Sequence, residues 1–367
     1  MPQRPQRLPS ALAAIVLAVG LTACSRQSSD EHKKPIAPPV AHQSITTAPA
    51  PEAAAVSAVA NRSCDTAKIL QARVDAFAAQ PDAASLQSAQ TAWKMAHLAY
   101  REYQQMRMLA GLPKYAGNAD TIDATPMLPG YLDSVPGYPT SGLVHAGTPL
   151  TAAYLRQEHR STDPYFLTLG FHPLAFMLFG IPQEKGGARK ASDFVSPKPL
   201  PVDHIDNAAR RRQLVRIMAA ELAPAVQSLC GKAPLQKVTE ILQKTLRDSG
   251  LFRQHLAAWL DTEIVFPLNA WKTDPGGEDN NGVPVSHTAL PGVDFEEWQA
   301  MLESASSTWI PLTKPDAHPA LQADIKQLED AIKPLTRPPY PPAPAAVSTA
   351  LDQVSQVARQ WASPAPP

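Results

Sequence analysis

Apolar residues recur every three to four positions along most of the chain, a spacing typical of amphipathic α-helices rather than of β-strands. The longest such stretch covers residues 83–110, where Asp82 and Gly111 supply a helix start and a helix stop. Pro224 and Pro267 are expected to kink two later helices. Further helices are predicted at 66–79, 148–160, 173–179, 207–229, 235–248, 251–271, 295–306, 322–332 and 345–361. Few segments alternate with period two, so the pattern predicts an all-α fold.

The predicted helices fall into two groups of similar size, which indicates two helical-bundle domains, residues 62–185 and 186–333. An irregular stretch rich in Gly, Pro, Asp and Tyr, residues 112–147, interrupts the first group. Loops of this length inside a compact domain are usually functional. Residues 334–367 are predicted to be a proline-rich linker followed by a C-terminal helix.

The N-terminus has the features of a secretion signal, residues 1–23. Arg4 and Arg7 precede an apolar run, residues 11–21, which is about as long as a signal-peptide core and short for a membrane span. The run ends in Leu-Thr-Ala-Cys, the lipobox pattern of bacterial lipoproteins, so Cys24 is expected to carry lipid and to begin the mature chain. The alternative is an ordinary secretory signal that happens to end near a cysteine.

The residues after the lipobox predict how the protein is attached to the cell envelope. Residues 24–61 contain almost no large apolar side chain, so we expect a disordered tether between lipid and fold. Ser25 is not acidic, and resemblance to sorted lipoproteins then favours the outer membrane, with the protein facing the periplasm. The membrane is therefore one expected partner, through the lipid anchor.

Net charge bears on possible partners, and the cysteine content predicts a disulfide bond. The formal net charge is zero, so the sequence shows no basic surface for nucleic acid. If Cys24 carries lipid, Cys64 and Cys230 remain, and an oxidising envelope makes this pair a disulfide candidate. The alternative is two free thiols.

Residues 169–180 read LGFHPLAFMLFG and carry a family resemblance. The segment resembles the signature of the imelysin-like family, G-x-H-x-x-E within a stretch of the form GFHxxEFLLFG. The matching residues are Gly170, Phe171, His172, Phe176, Leu178, Phe179 and Gly180. The resemblance implies an all-α fold of two helical bundles and an envelope role in the uptake of iron or another metal. The family has also carried a metallopeptidase label.

The chain departs from the motif at Ala175, where the family has glutamate. A His and a Glu one turn apart could hold a metal ion together, and alanine cannot contribute. Pro173 also disfavours a helical conformation for His172, so this histidine is expected to be the cap or entry residue of the short helix and not a residue inside it. If an iron or other divalent metal ion binds, His172 is one expected ligand. The others would come from Asp120, Asp123, Asp133, Glu278 and His287.

Three functions remain open. The first is a non-catalytic binding or accessory protein in metal acquisition, whose partners would be a metal ion, a metal chelate or envelope uptake proteins. The second is a metallopeptidase, although the sequence lacks H-E-x-x-H and the nucleophile motif G-x-S-x-G. The third is an envelope scaffold protein without a small ligand, in which case His172 would be a structural histidine. We expect His172 to line a cleft roofed by the loop from residue 120 to 145.

Overall fold

The chain folds into α-helices, as the helical spacing predicts. The computed structural model describes residues 50–114, 119–181, 186–199, 205–273, 292–336 and 342–363. In chain order the helices are α1 (Pro51–Ala79), α2 (Ala83–Leu109), α3 (Ala119–Ile122), α4 (Ala152–Glu158), α5 (Phe171–Phe179), α6 (Asn207–Gln227), α7 (Lys232–Arg247), α8 (Ser249–Leu260), α9 (Phe266–Thr273), α10 (Asp294–Ser304), α11 (His318–Ile332) and α12 (Pro344–Ala362). Within these ranges two isolated bridges are the only β-type pairing. The all-α prediction is confirmed.

Helix α1 begins at Pro51, well before the predicted start at residue 66. The expected tether is therefore wrong for residues 51–61. This segment is rich in alanine, the best helix former, and proline suits the first helical position. Val56 and Val59 lie one turn apart and are buried in the core. Their burial stabilises a helix that composition alone assigns to a linker.

Helix α1 packs between α2 and α6 in contact with both. Asp82 starts α2 as predicted: its carboxylate accepts a hydrogen bond from the Ser85 amide at 2.7 Å, and the Ser85 hydroxyl accepts one from the Asp82 amide at 3.0 Å. The Cys64–Cys230 disulfide joins α1 to the turn that follows α6, so the predicted bridge is confirmed.

The C-terminal helices pack around a second set of contacts. α12 lies against α8, α9 and α11, so the predicted C-terminal helix is part of the core. α2 also contacts α8 and α10, and α6 contacts α5, so packing crosses the predicted domain boundary at residue 186. The described residues from Ala50 onward belong to one compact unit.

Helix α4 is shorter than the predicted segment 148–160. The Thr151 hydroxyl accepts a hydrogen bond from the Tyr154 amide at 3.0 Å, so Thr151 caps the helix. Side chains of α6 take the carbonyl groups that an earlier helix start would need: Arg210 donates to Thr148 at 2.9 Å and Gln213 donates to Leu150 at 2.6 Å. Tertiary hydrogen bonds therefore move the start of this helix from the predicted residue 148 to Ala152.

Two wider helical turns break the later helices. The π-helical turns Asp261–Val265 and Ala305–Trp309 each end two residues before a proline, Pro267 and Pro311. Proline has no amide hydrogen, and its ring clashes with the carbonyl group four residues earlier. The backbone re-pairs over five residues instead of four, as in the hydrogen bond from the Phe266 amide to the Asp261 carbonyl. The predicted kink near Pro267 takes this form.

The predicted signal peptide, lipobox Cys24 and residues 24–49 of the tether lie outside the described residues. Of the helices described, none is by itself long and apolar enough to cross a membrane. Helices α6 and α7 are joined at a bend of 53°, and only together are they long and apolar enough to span a membrane.

Candidate functional site

The signature segment forms α5, and all nine of its side chains are buried. The helix starts at Phe171, two residues before the predicted start at residue 173, so His172 lies in its first turn, at the entry to the helix. Pro173 is tolerated because first-turn amides lack helical partners anyway. Gly170 caps the helix with φ of 105°, and a Cβ atom there would lie 2.7 Å from the Ile122 carbonyl oxygen. Glycine thus lets the C-terminal end of α3 approach the start of α5 closely.

Helix α2 holds α5 at both ends. The Trp93 indole donates a hydrogen bond to the Phe171 carbonyl at 2.8 Å, and the Gln90 amide donates to the Leu178 carbonyl at 2.8 Å. The Trp93 ring also stacks on His97 with a centroid distance of 4.7 Å. These contacts orient His97 toward the first turn of α5, where its ring centroid lies 5.6 Å from that of His172.

Two histidines converge on one carboxylate oxygen. Asp123 Oδ1 lies 3.0 Å from His172 Nε2 and 3.2 Å from His97 Nε2. On the other side of its ring, His97 Nδ1 lies 2.6 Å from Oε1 of Glu297 on α10. These four residues are at most 4% exposed. The cluster therefore joins α2, the segment after α3, α5 and α10 in the protein interior.

The two histidines hold their protons differently. Burial alone lowers the pKa of His97, but the carboxylates of Glu297 and Asp123 outweigh it and raise the pKa to about 9. Burial lowers the pKa of His172 below its usual value, and the positive charges of His97 and Arg101 lower it further, against the opposing effect of Asp123. At neutral pH His97 is thus a cation that donates from both ring nitrogens, and His172 is neutral.

A second layer of charge surrounds these histidines. Arg101, one turn after His97 on α2, pairs with Glu263 at 2.8 Å, and Lys114 pairs with the same carboxylate at 2.7 Å. The acidic side chains that act electrostatically on Arg101 are Asp123, Glu263, Asp294 and Glu297. Among the described residues, the histidines therefore lie in a region where acidic and basic side chains face one another.

The geometry and chemistry of the cluster fit a metal ion. His97, Asp123 and His172 each place one potential ligand atom within 4.8 Å of the other two. Two imidazoles and one carboxylate form a donor set that binds divalent transition metals, including non-haem iron. For His97 to become a ligand, its Nε2 must give up the proton that it shares with Asp123.

The structure brings together two of the residues proposed as ligands from the sequence, His172 and Asp123. Asp133 lies elsewhere, with its carboxylate 2.7 Å from Arg211 Nε and 3.0 Å from Arg189 Nη1. The guanidinium groups hold its pKa below the usual value although burial opposes them. Asp133 thus serves to fasten its loop to α6.

The remaining predicted ligands are Asp120, Glu278 and His287. The backbone of Asp120 belongs to α3, but its side chain lies outside the described residues, as do Glu278 and His287. The suggested roof over His172 is described only in part. Its segment at Asp123 reaches the histidine directly.

The sequence interpretation missed His97, Arg101 and Glu297. His97 and Arg101 carry a recognisable signal, because they lie four and eight residues after Trp93 on the buried face of α2, where apolar side chains are expected. Glu297 carries a weaker signal, since an acidic residue in the first turn of a helix is ordinary. Ala175 is buried one turn after His172, so α5 provides no acid, and the carboxylates come from other elements.

The fold and the cluster define an all-helical protein with a buried site of two histidines and two carboxylates. The family model described as Imelysin matches residues 56–250, more than half of the chain, and the chain belongs to the imelysin family. No curated protein matches it.

A solved structure shares the fold. It is the crystal structure of a protein assigned as an iron-regulated protein A precursor from Parabacteroides distasonis. The TM-score is 0.56 at 13% sequence identity, and the match covers 86% of this chain and 95% of that one. At this identity the likeness concerns the fold alone.

Proposed function

We propose that this imelysin-family protein is a cell-envelope binding protein that holds a divalent metal ion at His97, Asp123 and His172. Iron is the metal that we expect there. One observation carries the proposal: two histidine Nε2 atoms converge on a single buried carboxylate oxygen. His159 is a contrasting case, because its Nδ1 accepts hydrogen bonds from the backbone amides of Thr168 and Leu169. At His97 and His172 the ring nitrogens instead lie against a ligand-type side chain, Asp123, which supports a metal site.

The charge of the cluster supports a divalent cation. Asp123 places a carboxylate oxygen beside both imidazoles, and further acidic side chains, Glu263, Asp294 and Glu297, act electrostatically on Arg101 in the same region. A carboxylate beside two imidazoles is a donor set for a cation and not for an anion.

The family context favours iron among the divalent metals. The structural relative is named as iron-regulated, and two histidines with one carboxylate suit ferrous iron. Zinc also accepts these donors, so competition between the two metals is part of the test.

Binding is favoured over peptide cleavage. A metallopeptidase needs an open coordination position and a general base beside its substrate. The donor atoms here are buried, and Ala175 stands where the family motif has glutamate. The proposal includes lipid attachment at Cys24, which would hold the protein at the outer membrane beside envelope uptake proteins.

The test is anaerobic titration of the full-length protein, purified in detergent, with Fe²⁺, Zn²⁺ and Co²⁺ by calorimetry. We expect about one equivalent of metal. His172→Ala and Asp123→Asn should weaken binding at least about 10–100-fold, the loss typical even for residues that only support a ligand.

The matched control is His318→Ala, because His318 contacts only the Thr313 carbonyl among the contacts described for it. This variant should bind as the wild type does. If no metal binds, or if His172→Ala and His318→Ala bind equally well, the proposed function is wrong. Circular dichroism must show the same helical content in all three variants.

A further inference from the structure

Glu297 lies outside the segment that matches the family, yet its carboxylate reaches the centre of the candidate site. It belongs to the first turn of α10 and is 4% exposed. Helix α10 is fixed against α2, because the Gln105 amide donates a hydrogen bond to the Met301 carbonyl at 2.9 Å. The neighbouring Trp298 is buried. The position of the Glu297 carboxylate is therefore set by packing.

The contact between Glu297 and His97 has a defined direction. Glu297 Oε1 accepts from His97 Nδ1 at 2.6 Å, while His97 Nε2 faces Asp123 Oδ1 at 3.2 Å. The two nitrogens lie on different sides of the imidazole ring. A carboxylate at Nδ1 keeps the proton on that nitrogen and leaves Nε2 as the atom that turns toward Asp123 and His172.

Histidines that ligate metal ions almost always donate their second ring N–H to a carboxylate, a carbonyl group or water. That partner fixes the ring orientation, selects the tautomer and makes the ligating nitrogen more basic. Glu297, His97 and Asp123 have the corresponding arrangement in this protein. The Trp93 ring stacked on His97 adds a further restraint on its rotation.

We infer that Glu297 is a positioning residue for metal binding: it holds His97 through Nδ1 so that Nε2 is the ligand atom. The inference rests on the proposed function. It adds that α10, in the part of the chain beyond residue 250, completes a site whose signature lies on α5. Helices from both parts of the chain are then needed for full affinity.

The experiment compares Glu297→Gln with Glu296→Gln in the full-length protein, using Co²⁺ as the probe. Glu296 is the neighbouring residue on α10 and is exposed, so it is a matched control for loss of one acidic charge from this helix. Affinity is measured by calorimetry, and the visible absorption of bound Co²⁺ reports the geometry of its ligands. Glu297→Gln should bind about 10–100-fold more weakly with an altered spectrum, while Glu296→Gln should behave as the wild type.

A second variant separates positioning from folding. Glu297→Asp keeps the carboxylate but shortens its reach by one methylene, and it should recover part of the affinity and of the wild-type spectrum. If Glu297→Gln does not fold, Glu297→Asp alone tests the inference. Wild-type affinity and spectrum in Glu297→Asp would then overturn it.

The outcomes distinguish the positioning role of Glu297 from the proposed metal-binding function. Wild-type affinity and spectrum in Glu297→Gln, together with loss of binding in His172→Ala, refute the role of Glu297 and leave the proposed function standing. A wild-type protein that binds neither Co²⁺ nor Fe²⁺ refutes the proposed function, and the positioning role with it.

Discussion

His97 and His172 share one carboxylate oxygen but differ in charge at neutral pH. Among the described contacts, Glu297 and Asp123 both lie against His97 and raise its pKa, while burial and the positive charges of His97 and Arg101 lower the pKa of His172. The sequence predicts His172 and Asp123 from a motif and an acidic loop. It cannot predict the pairing with Glu297, because the two residues that meet are 200 positions apart.

The charge of His97 predicts how stability depends on pH. The pKa rises from 6.5 to about 9 on folding, so the folded protein binds this proton more tightly than the unfolded chain does. The resulting stability is fully present below pH of about 6.5 and is lost as the pH rises through about 9. Its size is on the order of 3 kcal/mol, from about 1.4 kcal/mol per pKa unit.

Urea unfolding of the full-length protein with chelator, at pH values on both sides of this window, measures the effect. His97→Gln is the comparison, because glutamine does not titrate. The free energy of unfolding should fall more steeply with rising pH in the wild type than in the variant. Parallel pH profiles would show that His97 is not a buried cation.

Most helices follow from the three-to-four spacing of apolar residues, and the Asp82 cap follows from its local pattern. The predictions that fail do so where tertiary contacts decide. Side chains of α6 take the carbonyl groups of Thr148 and Leu150 and delay the start of α4. The buried first turn of α5 extends that helix to Phe171, two residues before its predicted start at residue 173.

Gly170 connects the local structure of α5 to the site, and its replacement by alanine tests that connection. A Cβ atom there meets the Ile122 carbonyl at 2.7 Å, and φ of 105° disfavours other residues. Gly170→Ala should lower the free energy of unfolding by at least about 1–3 kcal/mol. It should also weaken Co²⁺ binding, because the clash would move Asp123 away from His172.

Gly137→Ala is the matched control. Gly137 also has a positive φ, 85°, but nothing lies within 4 Å of the added Cβ atom. It should lose stability through backbone strain alone and keep the wild-type affinity for Co²⁺. Equal Co²⁺ affinity in both variants would contradict the proposed link between the Gly170 contact and the site.

Across the whole molecule, contacts join the two groups of helices that the sequence pattern separates. α1 packs on α6, and α2 contacts both α5 and α10. The prediction of two groups rests on similar helix counts, which cannot reveal which helices pack together. The Cys64–Cys230 bridge links residues 166 positions apart.

Removal of this bridge should lower stability without abolishing the site. The chain-entropy model allows roughly 4–5 kcal/mol for a loop of this length, an upper figure that native strain reduces. The Cys64→Ala/Cys230→Ala double variant should unfold at lower denaturant concentration and keep its helical content. It should also still bind Co²⁺, because no ligand in the cluster comes from α1 or α6. An unchanged unfolding midpoint would show that the bridge contributes no stability.

The most direct test of the metal-binding claim is anomalous X-ray scattering at the iron absorption edge, from crystals of the protein grown anaerobically with Fe²⁺. The account predicts one strong peak among His97 Nε2, His172 Nε2 and the Asp123 carboxylate, absent from crystals of His172→Ala. A strong iron peak elsewhere in the molecule, with none at these three side chains, would contradict it.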